Sequence, residues 1–273
     1  MNSENLKNFA LQIRLNTMTQ FKARGFGHIG GAFSIAEVLA VLYGNVMKID
    51  PTNPHWKERD YLVLSKGHAG PALYATLALK GFFPQEWLTT LNQPGTRLPS
   101  HADRNLTPGV DVTTGSLGQG LSVAAGIALS LKSDDKTNKV YCIVGDGECN
   151  EGQIWEAAMF AAHHKLPLIV YVDYNKKQLD GNLKEVLDLG NIGEKFKSFG
   201  FSVTTVKGND ADAVLEATLN ARNNTPSLIV LDTIKGAGVK FVEELDKNHH
   251  LQMDSEFIDR VINELKKEGG YDI

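Results

Sequence analysis

The stretch KVYCIVGDGECNEGQIWEAAMFAAHHKLPLIVYVDYNKKQLDG, Lys139 to Gly181, constrains the fold more than any other part of the chain. An apolar run from Val140 to Val144 stops at Gly145-Asp146-Gly147. A helical segment follows from Glu151 to His164, and Pro167 punctuates it. A second β-rich run, Leu168 to Val172, ends at Asp173-Tyr174-Asn175. Two such runs around one helix make a βαβ unit, with parallel strands and a right-handed crossover. Parallel strands end on the same edge of a sheet, so Asp146 and Asn175 emerge side by side. A carboxylate and a carboxamide oxygen converging there suit a hard divalent cation such as Mg²⁺. The glycines flanking Asp146 let backbone approach a phosphate closely, and the following helix offers its N-terminal amides.

The rest of the chain repeats the alternation. Strands are predicted near 61–64, 202–206 and 228–233. Amphipathic or buried helices are predicted over 4–22, Ile35 to Tyr43 (capped at Ser34), from Pro71, over Pro84 to Asn92, after SLGQG, over Asp210 to Arg222, and from Asp254 to Lys267. This pattern predicts an α/β fold: a mostly parallel central sheet with helices on both faces. The run GFGHIG satisfies the dinucleotide pattern GxGxxG, but a helix precedes it where that fingerprint needs a strand. It reads instead as a flexible segment presenting His28. Pro94 to Gly115 has no regular pattern, and an irregular stretch of that length inside a domain is usually functional. It carries His101.

A chain of 273 residues, 42% hydrophobic, can bury a full core. With no linker, repeat or low-complexity tract, residues 1–273 are expected to form a single domain with a C-terminal helical extension. The net charge of -4 and the lack of a basic cluster argue against nucleic acid. No apolar run approaches the roughly twenty residues that cross a bilayer, and no secretory signal is evident. Cys142 and Cys149 form neither a CxxC pair nor a zinc pattern. Cys142 is expected in the core and Cys149 partly exposed, in a reduced cytoplasmic setting.

Each histidine taken alone is more often structural than catalytic. His55, His163 and His164 keep that reading. His28, His68, His101 and one of His249 and His250 lie beside element ends, which a parallel sheet can gather at one edge. Converging imidazoles there could bind an anion and move protons near neutral pH.

The GDG turn with Asn175 at the next strand's end resembles the Mg²⁺–diphosphate motif of thiamine-diphosphate enzymes. That resemblance implies metal ligands at Asp146, Asn175 and the Lys177 carbonyl. Many members end the motif in Asn-Asn; this chain has Tyr174-Asn175. The stretches GHIGG, LSKGHAGPALYA, LPSHADRNLTPGVDVTTGSLGQG, GDGECNEG and DYNKKQLDG, in that order, narrow the resemblance to the diphosphate-binding domain of transketolases. It covers nearly the whole chain.

The resemblance implies thiamine diphosphate with Mg²⁺, for which Ca²⁺ or Mn²⁺ could substitute. His68 and the Gly147 backbone would contact the diphosphate. Gly115, Ser116 and Leu117 would line the aminopyrimidine, Glu151 would orient the cleft, and Asn175 and His249 would also touch the cofactor. His28, His101 and His249 would face the ketose hydroxyls and the developing alkoxide. The last position is ambiguous: the family has Trp-His-Gly where this chain has Asn248-His249-His250. Counting from Gly238 favours His249, with His250 open. The implied activity is transfer of a two-carbon ketol unit from a ketose, phosphorylated in the usual case, to an aldose. A whole transketolase also carries a pyrimidine-binding domain with a glutamate for the cofactor ring. A partner subunit is therefore expected to supply it, in an α2β2 assembly. The helix after SLGQG and the helix Glu151 to Ala162 are candidates for the interface. Other readings are a branched or sulfonated ketose donor, the α subunit of another thiamine-diphosphate enzyme, and a non-catalytic paralogue.

Overall fold

The computed structural model describes residues 1–179, 181–221 and 225–270. Five parallel strands form the main sheet, in the spatial order Tyr61–Leu64, Val140–Gly145, Leu168–Tyr174, Ser227–Asp232, Ser202–Lys207. Helices cover both faces, as the alternation predicts. Successive strand side chains point to opposite faces, and each phase meets its own helical layer. Tyr141, Ile143, Ile169, Tyr171, Ile229 and Leu231 pack under Ser3–Arg24, Ala36–Val41, Gly70–Leu79, Ala211–Leu219 and Ser255–Glu268. Cys142, Val144, Val170, Val172, Leu228 and Val230 pack under Gln119–Ser133, Gly152–His163 and Ile192–Phe199. Each Val, Leu or Ile among them, fully buried, contributes about 1.5–3 kcal/mol relative to exposure.

The chain reverses direction once. After Leu168–Tyr174 it skips a position to Ser202–Lys207, then returns through Ala211–Leu219 to insert Ser227–Asp232. A right-handed crossover moving the opposite way must pass over the opposite face, and Ala211–Leu219 does lie on the other face from Ile192–Phe199. Side-chain caps set several helix starts: Asn2, Asn191, Asp210 and Asp254 each accept a backbone N–H, a contact of about 1 kcal/mol.

Several local expectations are corrected. Phe26–Gly27 is not free backbone; it pairs antiparallel with Leu251–Gln252. A short helix, Ile29–Phe33, starts directly at His28, and Ser34 ends it rather than capping the next one. The Ser34 hydroxyl is used elsewhere, donating to Asp173 Oδ2 at 2.7 Å. The segment Gln85–Thr90 is a 3₁₀ helix. Cys149 is fully buried, like Cys142. Burial raises both thiols. The expected helix Asp210 to Arg222 spans Ala211–Leu219, and Arg222 lies outside the described residues. By length and composition Ile29–Val46 could cross a membrane, but 83% of it is buried inside the protein.

Candidate active site

The two central strands end together. Gly145 pairs directly with Asp173, so Asp146 and Asn175 project just past the last rung of the ladder. Asp173 is 0% exposed and anchors the layer beneath. It accepts hydrogen bonds from Lys66 Nζ at 2.5 Å, Ser34 Oγ at 2.7 Å, Asn175 Nδ2 at 2.9 Å and Thr233 Oγ1 at 2.5 Å. Burial alone would raise its carboxyl; the Lys66 ammonium and these hydrogen bonds outweigh burial and hold it below the usual carboxylate range. With its amide nitrogen committed to Asp173, Asn175 turns Oδ1 the other way, where it accepts from Lys177 N at 3.1 Å.

Asp146 is 2% exposed. Its carboxylate accepts from Gly147 N at 2.8 Å and from Lys176 N at 2.6 Å. Burial, with neighbouring Asp173, pushes the Asp146 carboxyl up to about 7. A carboxylate so placed is short of positive charge. Together with the Asn175 side-chain oxygen and the Lys177 carbonyl it offers hard oxygen donors, so these residues fit a divalent cation. Among the described residues no group of three or more His, Cys, Asp or Glu side chains could hold a metal. A cation here would need oxygens from an anion too, the usual situation for Mg²⁺ beside phosphates.

The space for that anion is a cavity of about 160 Å³ bordered by Gly31, Lys66, His68, Asp146, Gly147 and Lys235, among others. Lys235 is 3% exposed. Burial and the nearby Lys66 ammonium lower it to about 8, and its Nζ donates to the Leu179 carbonyl at 2.7 Å. The cavity depends on missing side chains. A Cβ on Gly31 would lie 3.1 Å from His68 Nε2, and one on Gly147 would lie 2.8 Å from Gln178 Cγ. Buried cations, amides and a glycine cradle together fit a diphosphate.

Above the cavity the histidines converge. Ring centroids of His28 lie 5.5 Å from His68, 6.1 Å from His101, 5.1 Å from His249 and 4.7 Å from His250; His68 and His249 are 5.0 Å apart. Burial, then the positive charge that neighbouring His249, His250, His101 and Lys235 would carry, lowers His28 to about 3. Burial first, then Lys66, lowers His68 well below its usual value, and burial lowers His101. These three imidazoles are neutral at pH 7 and can each donate and accept a hydrogen bond. Of the ambiguous pair, His249 borders the cavity beside His68, whereas His250 is exposed and packs on Phe26 at 5.6 Å.

The remaining sequence-predicted residues divide. Leu117 borders the cavity, and Gly115 (φ +150) lies under the His101 ring, where a Cβ would meet it at 3.2 Å. Ser116 is exposed. Glu151 is exposed at the start of Gly152–His163 and does not border the cavity; Glu148 does. Sequence reasoning missed Lys66, Glu148, Asp173 and Lys235. A charged residue inside an apolar strand, as at Asp173, or within three residues of its end, as at Lys66 and Lys235, was the available signal.

Burial of His28 couples folding to pH. An unfolded histidine takes up its proton near pH 6.5, the folded His28 only near 3. Between those values the unfolded chain binds the extra proton, so stability falls as pH drops from about 6.5 toward 3. His28→Gln should flatten part of that decline in melting temperature; an identical pH profile in the variant would contradict it.

Comparison with known proteins points to one family. The family described as "Transketolase, thiamine diphosphate binding domain" matches residues 6–272. The 6-deoxy-6-sulfo-D-fructose transketolase subunit SqwG of Clostridium sp. (strain MSTE9) is 51% identical over 267 residues, covering 97% of each chain. One of the apulose-4-phosphate transketolase subunits, from Actinobacillus succinogenes, is 38% identical over 244 residues, covering 89% of this chain and 88% of that one. The crystal structure of Campylobacter jejuni transketolase superposes with a TM-score of 0.91 at 32% identity, covering 100% of this chain and 44% of that one. With its parallel sheet, its diphosphate cradle and a family match from residue 6 to 272, the chain belongs to the transketolase family and carries its thiamine diphosphate binding domain.

Proposed function

We propose that this chain is one subunit of a two-chain transketolase whose ketose donor carries a sulfonate, 6-deoxy-6-sulfo-D-fructose or a close analogue. The carrying observation is the 51% identity, spread over 97% of both chains, to a subunit named for that donor. A phosphorylated branched ketose is the second reading, supported by the 38% identity to an apulose-4-phosphate transketolase subunit. The partner would supply the pyrimidine-binding domain, two copies of each chain would assemble, and the enzyme would act in the cytoplasm as a single-domain subunit.

In this reading Asp146, Asn175 and the Lys177 carbonyl hold Mg²⁺, and His68, Lys235, His249 and the Gly147 amide hold the diphosphate. Gly115 and Leu117 border the ring. Bound thiamine diphosphate supplies the electron sink for breaking the carbon–carbon bond next to the ketose carbonyl. The protein's share is position and proton movement. His28 and His101, neutral and beside His249, present ring N–H groups to the sugar hydroxyls and to the oxygen that gains charge. Ring nitrogens without a proton are free to receive the one released as the bond breaks.

The test is a donor panel assayed with the reconstituted pair: 6-deoxy-6-sulfo-D-fructose, a phosphorylated linear ketose and apulose-4-phosphate, each with the same aldose acceptor. The sulfonated donor should show the highest kcat/KM, by at least about tenfold. A preference for either phosphorylated donor would overturn the sulfonate assignment while leaving the ketol-transfer reading intact.

A further inference from the structure

We infer that Glu148 is a positioning residue that ties the three turns of the cofactor cradle together before any cofactor arrives. This role is separate from the donor reading and rests only on the cradle and the family's cofactor. Glu148 is 3% exposed and borders the cavity. Its carboxylate accepts hydrogen bonds from the Ser65 hydroxyl, from Gly118 N at 2.8 Å and from Gly145 N at 3.0 Å. The donors come from three separate turns. Ser65 precedes Lys66-Gly67-His68, which sets the ammonium on Asp173 and the imidazole over the cavity. Gly118 follows Ser116-Leu117, and Gly145 precedes Asp146-Gly147.

Those turns already press on one another. A Cβ on Gly67 would lie 2.8 Å from Gly115 N, one on Gly118 would lie 2.8 Å from Glu151 Cβ, and one on Gly120 would strike Ser65. Close contact alone leaves each turn free to slide. A shared acceptor removes that freedom, because moving any one turn breaks a charge-assisted hydrogen bond, roughly twice as strong as a neutral one. Only a carboxylate answers three donors without presenting a donor of its own. A glutamine would aim its N–H₂ either at Gly145 N–H or at the Ser65 and Gly118 donors. The hydrogen bonds of the Glu148 carboxylate run to Ser65, Gly118 and Gly145 and not to the proposed metal ligands' side chains, so its effect acts through the turns.

The test uses the full chain carrying Glu148→Gln, with Ser65→Ala and the double variant beside it. Calorimetry with thiamine diphosphate and Mg²⁺ should show a dissociation constant raised by about tenfold or more for Glu148→Gln, the cost of hydrogen bonds to a charged group. Ser65→Ala should raise it by about fivefold, and by much less in the Glu148→Gln background. Without cofactor, hydrogen exchange at the Gly118 and Gly145 amides should quicken in Glu148→Gln. That exchange readout needs no ligand, so it decides the inference separately from the cofactor assignment. Unchanged affinity with unchanged exchange in a folded Glu148→Gln chain overturns it. So does a Ser65→Ala effect that persists in full in the Glu148→Gln background. Should Glu148→Gln fail to fold, unchanged affinity in Ser65→Ala overturns it alone.

Discussion

Asp146→Ala is expected to abolish Mg²⁺-dependent binding of thiamine diphosphate, raising the dissociation constant by more than about 100-fold. Changing a group that merely supports a metal ligand costs 10–100-fold in metal affinity, and Asp146 would be the one charged protein ligand at this edge. The geometry says why nothing nearby can replace it. Asp173, the neighbouring carboxylate, is already engaged by Lys66, Ser34, Thr233 and Asn175. The Asn175 oxygen is neutral. Without the cation, the diphosphate would keep its contacts with His68, Lys235, His249 and the Gly147 amide but lose the one divalent charge beside it. Cofactor-free melting should change little, since the hydrogen bonds from the Gly147 and Lys176 amides are lost together with a carboxylate whose charge burial disfavours. Titration with and without Mg²⁺ checks this; a variant that keeps its Mg²⁺-dependent affinity would remove Asp146 from the metal site.

How far the site could be read from sequence depended on range. Asp146 and Asn175 were legible because one βαβ unit carries both, and parallel pairing puts its two strand ends on one edge. The observed register, Gly145 opposite Asp173, is that local rule at work. The histidines were legible as residues of loops, and the loops do gather. The choice between His249 and His250 was only partly legible: counting from Gly238 favoured His249, but the outcome turns on the pairing of Phe26–Gly27 with Leu251–Gln252. That contact joins opposite ends of the chain and has no local signature. Ser34 was misread as a cap because a serine before an apolar helix fits the capping pattern, while its hydroxyl serves Asp173 across the fold. Glu148 was passed over for Glu151. Both follow the GDG turn, and only the geometry of the 3₁₀ segment Gly147–Asn150 turns the first inward and leaves the second at the surface.

The chain purified alone is expected to show no ketol transfer, and addition of a pyrimidine-domain subunit should restore it. The cradle is complete on one side only. Asp146, Lys66, Glu148 and Lys235 are buried within the chain, whereas His101 and Ser116 are exposed, Leu117 is 36% exposed and Leu179 is 65% exposed. Apolar side chains left open around a cofactor cavity fit a surface that a partner covers. The two helices named from sequence as interface candidates are split between roles. Ala124, Ala125 and Ala128 of one, and Ile154, Ala158 and Ala161 of the other, cover the chain's own sheet. On their outer sides Val123 is 41% exposed, Met159 49% and Phe160 41%. Gly126 and Gly152 face open space, with nothing within 4 Å of an added Cβ. Exposed apolar side chains beside glycines with open space around them suit the close approach of an obligate interface. Met159→Glu with Phe160→Glu should therefore leave the chain folded, prevent its assembly in size-exclusion chromatography with light scattering, and remove the restored activity, while the donor preference of any residual assembly stays unchanged. Full turnover by the isolated chain would defeat the two-chain reading, and an intact assembly in the double variant would move the interface elsewhere.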